Sequence, residues 1–458
     1  MVLQKKKLAA KGEKPQRSSL ATTSQKEEKM ILQKQILAAK REKLQRSSLA
    51  TTSQREEKMV LQKKILAAIM AIVCLFILGV SFSWAEDGVS NTEVKIGATV
   101  DLSGPIAFMG KGVTDGAKLY FQYINDQGGV YGRKINFLME DDGYQSPRAV
   151  QGAKKLITRD KVFCMFMILG SAQVNAMYPL MEADGIPIVA PATQNQDMGV
   201  PPRKFLFLAD THYTAQGKLA IEYIVETMGE KKPKIASIFQ DDTPGHDWRN
   251  GVRHGAKYYG LEVLELPYKR GAVDFSSQMA KSKEAGITHI LVWSLVREPA
   301  ILMKEAQRLQ YKPTYFYANP SINKKVLELA GDALTYNNKV YATNIMIDPY
   351  RDKTPAVQLF EKNSAKYKMA TIENSYNTYG YQAAITLVEG LKRAGKDLTR
   401  QGLINALETF NKYDNGMMAP ITWGPNLRAG GHSIKVFQAK EGDWHAITPG
   451  WVFSKIPD

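Results

Sequence analysis

Beyond residue 93 the chain alternates short apolar, β-branched runs with longer stretches whose apolar positions recur at helical spacing. The first kind reads as strands and the second as amphipathic helices. Strands are predicted over residues 94–100, 134–140, 162–169 and 186–190, with helices over 113–125, 148–158 and 171–183 between them. The rhythm restarts with a helix over 216–227 and a strand over 235–240. It continues through helix 248–259, strand 262–267, helix 275–285, strand 289–292, helix 300–309 and extended residues 314–317. A strand over 340–347, helices over 356–367, 376–394 and 399–409, and a strand-rich tail follow. Such alternation predicts an α/β fold with parallel sheets covered on both faces. The pattern divides into two similar halves, with the chain crossing back late. Two lobes of this kind leave a cleft at the carboxyl ends of their strands, where ligands bind.

The first 85 residues follow another pattern. Met1, Met30 and Met59 open nearly the same phrase, and residues 1–29 and 30–58 are two copies identical at 23 of 29 positions. Each copy is a short LQKxxLAA patch followed by polar, charged sequence, too little apolar surface to bury a core. Residues 1–58 are therefore expected to be disordered or transiently helical. The third copy departs after about ten residues into a continuous apolar run. Lys63 and Lys64 precede it, and Ser83 and Ala85 stand at the small positions before Glu86, the pattern of a cleaved export signal. The run of about 16 residues is short for a spanning helix. Cys74 lacks the small residues that precede a lipid-modified cysteine. Residues 59–85 are thus read as a signal peptide cleaved after Ala85, with translation starting naturally at Met59 and residues 1–58 as a tandem duplication.

Removing this leader changes the charge argument. It holds 17 of the 61 Lys and Arg and 6 of the 45 Asp and Glu, so the net charge falls from +16 to about +5. A basic chain invites a nucleic-acid partner, but most of that signal leaves with the leader, and none is expected. Cys164 is the one cysteine after residue 85, so no intramolecular disulfide forms, and its apolar surroundings suggest a buried thiol.

Several motifs were weighed for chemistry. Gly110, Gly112 and Gly116 follow a strand and open a helix, but their spacing is one residue too long for a dinucleotide fingerprint. Residues 104–111 resemble a phosphate loop with one residue too many between the glycines, and Gly112 stands where a magnesium-binding hydroxyl belongs. The six histidines form no metal-binding pair, and no nucleophile elbow occurs. The acidic turn at Glu140, Asp141 and Asp142 lacks the alternating oxygen ligands of a calcium loop and reads as a solvated turn. Neither a catalytic constellation nor a cofactor is expected. Ser171 follows a buried strand and begins a helix. It is either a simple N-cap or one wall of an anion site, since helix N-termini favour anions.

At the level of longer stretches, IGATVDLSGPIAFMGKGVTDGAKLYFQYINDQGGVYGRKINFLMEDDGYQSP resembles the opening of periplasmic branched-chain amino-acid-binding proteins, the type I solute receptors of ATP-driven importers. DKVFCMFMILGSAQVNAMYPLMEADGIPIVAPAT, DFSSQMAKSKEAGITHILV, MKEAQRLQYKP, ELAGDAL, PAVQLFEKNSAKYK and MMAPITW fit the same family, so that the resemblance covers almost all of residues 93–458. It implies two Rossmann-like lobes with parallel sheets and three hinge crossovers, closing on one small solute. The implied lobes are residues 93–212 with 343–418, and 213–342 with 419–458. The family's carboxylate site falls on Ser171 and the segment Ala192, Thr193 and Gln194; its usual threonine aligns with Gln194, and either neighbour could serve. The other implied pocket positions depart from the pattern. An aromatic becomes Met109, the acid that meets a ligand ammonium becomes Tyr213, and another aromatic becomes Pro244. A further aromatic becomes Leu295, and a second acid becomes Asn319. The carboxylate end is kept and the ammonium end is lost, which points to an organic acid rather than a leucine-like amino acid.

The resemblance implies a non-enzymatic, monomeric receptor in the periplasm. Its partners are a carboxylate-bearing solute, an amino acid or organic acid, and an inner-membrane permease with its ATPase. The alternative is a ligand sensor feeding a signalling partner. N-terminal sequencing of the exported protein is expected to begin at Glu86; a retained residue 1–85 segment would contradict the cleavage.

Overall fold

The computed structural model describes residues 86–371 and 374–457, a helical stretch over 58–70 and isolated leader positions at 30, 34, 40, 42 and 43. Residues 85–458 form one compact unit and residues 1–84 another. In the second of these, the described positions are helical and exposed. Most of the repeat, residues 71–85 of the apolar run and the cleavage position Ala85 lie outside the described residues. Among the described residues, no helix is long and apolar enough to cross a membrane.

The larger unit opens with β1 (Glu93–Val100), α1 (Ala107–Asp126), β2 (Lys134–Asp141), α2 (Ser146–Thr158), β3 (Cys164–Phe166), α3 (Ser171–Ala183), β4 (Ile188–Val189) and β5 (Leu206–Thr211). With β11 (Ala429–Gly431) these strands form one six-stranded sheet, ordered β11-β5-β4-β3-β1-β2 and parallel throughout. The middle of the chain supplies α4 (Tyr213–Glu222), β6 (Ile235–Gln240), α5 (Thr243–Tyr258), β7 (Val263–Tyr268), α6 (Ser276–Glu284), β8 (His289–Trp293), α7 (Glu298–Arg308), β9 (Thr314–Tyr317), α8 (Lys324–Ala330), α9 (Asp332–Tyr336) and β10 (Val340–Asn344). Then follow α10 (Pro355–Tyr367), α11 (Ser375–Ala394), α12 (Arg400–Leu407), β12 (Ser433–Lys440), β13 (Asp443–Ala446) and β14 (Val452–Phe453). The second sheet runs β13-β12-β10-β9-β8-β6-β7, with β14 pairing β12. Strands β6 to β10 are parallel, as expected, and the strand-rich tail adds antiparallel ones.

The expected rhythm recovers most of these elements, but β5 is not among them. Its sequence LFLADT is buried at every position, so it shows neither the polar alternation of a half-exposed strand nor a helical period. The implied lobe boundary at residue 419 also differs from the pairing. β11 is hydrogen-bonded to β5, so residues 429–431 belong to the first sheet and the chain crosses last between β11 and β12.

The three passages between sheets are tied to one another. The Thr211 hydroxyl donates to the Ser433 carbonyl at 2.7 Å and accepts from the Ser433 amide at 3.1 Å. Gln216 donates to the Thr211 carbonyl at 2.8 Å and accepts from the Thr343 hydroxyl at 3.0 Å. All four residues are buried, where hydrogen bonds are costly to leave unmade.

The glycines that resembled a nucleotide loop lie within α1 and are packing devices. A Cβ on Gly116 would sit 1.9 Å from the Asn377 carbonyl oxygen, and one on Gly380 1.9 Å from the Val113 carbonyl oxygen. Helices α1 and α11 therefore meet backbone to backbone. The acidic turn is solvated only in part, since Glu140 and Asp141 are half-exposed and Asp142 is not. Asp142 is fully buried and accepts from the Tyr144 amide at 2.8 Å, while Asp141 accepts from the Leu102 amide at 2.9 Å. The Asp141 carboxylate, which also accepts from the Ser103 hydroxyl at 2.5 Å, ties the loop after β2 to the loop after β1. Cys164 is buried, and that burial pushes its thiol up to about 12.

Gly116→Ala is expected to lower the unfolding free energy by about 1–3 kcal/mol, the usual cost of overpacking. Gly424→Ala, where the added methyl meets nothing within 4 Å, should change it by less than about 0.5 kcal/mol. Chemical denaturation of the two variants checks the difference.

Candidate functional site

Each loop that follows a parallel strand in the two sheets reaches toward the space between them. After β3, Gly170 adopts φ +106°, a conformation open to glycine, and α3 starts at once. Gly170 occupies the N-cap position, so Ser171 is the first helical residue and not the cap expected of it. Its hydroxyl instead shares a hydrogen bond with the Thr193 hydroxyl at 2.5 Å, and both residues are buried. The first amides of a helix have no intrahelical acceptor, so two hydroxyls and the start of α3 form one donor-rich corner.

That corner belongs to a cavity lined from both sheets. All eight residues singled out as ligand contacts line it: Met109, Ser171, Ala192, Thr193, Gln194, Tyr213, Leu295 and Asn319. Pro244 lines it too. The sequence reading did not anticipate Tyr144, Trp293, Asn344, Tyr376 and Tyr379, which complete a largely aromatic wall. Tyr213 and Trp293 pack edge to face with ring centroids 5.6 Å apart. Among the described residues, no Asp, Glu, Lys, Arg or His side chain lines it. The Asn319 Oδ1 is buried without a hydrogen-bond partner among the described residues.

Behind the wall lies one carboxylate. Asp210, on the unanticipated strand β5, is 2% exposed. Its Oδ2 accepts from Gln194 Nε2 at 3.0 Å and from the Tyr379 hydroxyl, and Gln194 Nε2 also reaches the Tyr379 oxygen at 2.8 Å. Burial pushes Asp210 up to about 6, with the Gln194 and Tyr379 hydrogen bonds pulling the other way. The apolar run FLFLA before it was the available signal for this strand.

The two lobes touch around the cavity. Tyr376 donates to the Pro320 carbonyl at 2.8 Å, and Ser375 to the Ile322 carbonyl at 2.7 Å. Asp247 of α5 accepts from Asn195 Nδ2 at 2.9 Å and from the Gln196 amide. The Arg270 guanidinium, paired with Asp242 at 2.8 Å, lies 4.7 Å from the centroid of the Tyr144 ring. Among the described residues no group of three or more His, Cys, Asp or Glu could hold a metal ion.

The site's chemistry is that of holding a solute: a donor-rich corner, aromatic walls, and lobes in contact over it. Comparison with known proteins agrees with this arrangement. A family model described as "Periplasmic binding protein" matches residues 93–443. The chain is 27% identical to Leu/Ile/Val-binding protein homolog 8 of Brucella suis, covering 81% of this chain and 94% of that protein. In fold it is similar to a fatty acid ABC transporter substrate-binding protein from Thermomonospora curvata, with a TM-score of 0.72 and 24% identity over 81% of this chain and 95% of that one. A branched-chain amino acid ABC transporter protein from Thermus thermophilus with bound valine superposes with a TM-score of 0.73, at 21% identity over 80% of this chain and 98% of that one.

Asp210 sets a pH dependence. Its native carboxyl keeps a proton up to about 6, whereas an unfolded aspartate loses it near 3.9. Between those values the native state binds more protons, so its contribution to stability is full below about 4 and lost as pH rises through 6. Asp210→Asn is expected to remove that share of the slope, on the order of 2–3 kcal/mol. Unfolding free energies measured from pH 4 to 7 check it; an unchanged slope would contradict the assignment.

Proposed function

The chain belongs to the periplasmic binding protein family, and on that premise we propose that it captures one small carboxylate-bearing solute between its lobes. It works in the periplasm and hands the solute to an ATP-driven importer in the inner membrane. The observation that carries this reading is the pairing of Ser171 and Thr193, 2.5 Å apart at the start of α3, within a cavity that, among the described residues, no charged side chain lines. A carboxylate placed there meets two hydroxyls and the free amides of a helix N-terminus, which together favour an anion. The remaining wall is apolar and aromatic, suited to the body of an organic acid. A buried ammonium would need a charged partner or acceptors to offset its desolvation, and the family's acidic positions are Tyr213 and Asn319 here. An acid without an α-ammonium is therefore the favoured solute.

Binding would proceed by hinge closure. The passages at Thr211, Thr343 and Ser433 form the pivot, and the contacts of Asp247, Arg270 and Tyr376 hold the closed form. Calorimetric titration with a panel of aliphatic and aromatic acids and with leucine tests the proposal. Micromolar binding of at least one acid is expected, weakened tenfold or more in Ser171→Ala/Thr193→Val. Micromolar leucine binding with no binding of any organic acid would overturn the solute assignment.

A further inference from the structure

A second cavity adjoins the first. Ile106, Met109, Tyr144 and Leu295 line both, so these side chains form the partition between them. The outer cavity also takes its walls from both lobes, with Phe108 on α1 and Leu329 on α8. Phe108 is 49% exposed, and its ring meets that of Tyr376, in the wall of the inner cavity, edge to face at 6.0 Å.

The two cavities differ in charge. Among the described residues, no charged side chain lines the inner one, whereas Arg270, Arg297, Glu298 and Lys325 line the outer one. Arg270 is paired with Asp242 at 2.8 Å and Lys325 with Glu328 at 3.0 Å. Arg297 is exposed, where water and salt screen it. Glu298 is different. It is 6% exposed, and its Oε2 is buried with no hydrogen-bond partner among the described residues. Its place in the first turn of α7 favours a carboxylate but supplies no donor to that oxygen. A buried carboxylate is costly unless it is paired, so Glu298 is the position in the outer cavity where a cationic group of a solute gains most. Its charge also reaches the inner wall: burial pushes the Tyr376 hydroxyl up, and Glu298 adds to that effect.

We propose that the outer cavity is a second subsite for the same solute, in which Glu298 holds an ammonium at the far end of the chain, so that the solute is an ω-amino acid. The inference rests on the carboxylate-capture reading and deepens it. The carboxylate sits at Ser171 and Thr193, the chain passes the partition, and the ammonium meets Glu298. Met109, one of the four partition residues, has an unbranched and adaptable side chain, suited to a wall that a chain must pass. The charge pattern separates two isomers. An α-ammonium lies beside the carboxylate, in the inner cavity, where it finds no charged partner. An ω-ammonium is carried to the cavity that has one.

Calorimetry on the full chain tests this with 5-aminopentanoate, 6-aminohexanoate and 8-aminooctanoate, each against the unsubstituted acid of the same length and against its 2-amino isomer. At one length or more the ω-amino acid is expected to bind tenfold or more tighter than both. Glu298→Gln keeps the shape of the side chain and removes its charge, and should bring that preference close to one. Leu329→Trp narrows the same cavity without altering its charge and should reduce the preference as well, so the test does not depend on one variant folding. The absence of a length at which the ω-amino acid leads, or a preference that survives either variant, overturns the inference; binding of the unsubstituted acids then leaves carboxylate capture standing. Failure of the unsubstituted and the ω-amino acids alike to bind overturns the capture reading itself.

Discussion

Two mainly parallel sheets present the carboxyl ends of their strands to one another, and the location of the site follows from that constraint. A parallel strand must be followed by a crossover, so each loop at that end is forced into the space between the sheets. Met109, Tyr144, Ser171, Thr193, Tyr213, Pro244, Leu295, Asn319 and Asn344 all come from segments that follow such strands or end them. Residues scattered over more than 200 positions of sequence thus converge on one cavity. Hydrogen bonds among Thr211, Gln216, Thr343 and Ser433 tie the three passages between the sheets together.

Charge is managed by distance. Among the described residues the cavity wall is neutral, and a buried carboxylate, Asp210, stands behind Gln194 and Tyr379. Burial of an ionised group is expensive unless it is paired, and Asp210 is held by two donors on a single oxygen. Burial raises its pKa against the pull of those two hydrogen bonds. The contacts between lobes follow another logic, pairing side chains with backbone groups at Pro320, Ile322 and Gln196.

Much of this was legible in the sequence because it depends on local period. Ser171–Ala183 and Ile235–Gln240 are bounded as the pattern predicts, and the residues aligned with the family's pocket all reach the cavity. What stayed hidden depends on partners distant in sequence. Asp210 and Tyr379 are 169 residues apart, and no spacing rule joins them. Spacing excluded Gly110, Gly112 and Gly116 as a dinucleotide loop, but their packing role stayed hidden because it depends on the distant helix α11. Asp142 looked solvated because a turn composition does not show that another loop folds over it. The return of residues 429–431 to the first sheet likewise depends on pairing with β5, a strand whose full burial hides its period.

The central claim is that the closed cavity holds a small acid. Native mass spectrometry of the protein recovered from its own cell envelope, followed by denaturation and identification of the released solute, addresses it directly. One equivalent of a small carboxylate-bearing compound per chain is the predicted result. A sugar, a polyamine or another solute without a carboxylate in that position would contradict the account.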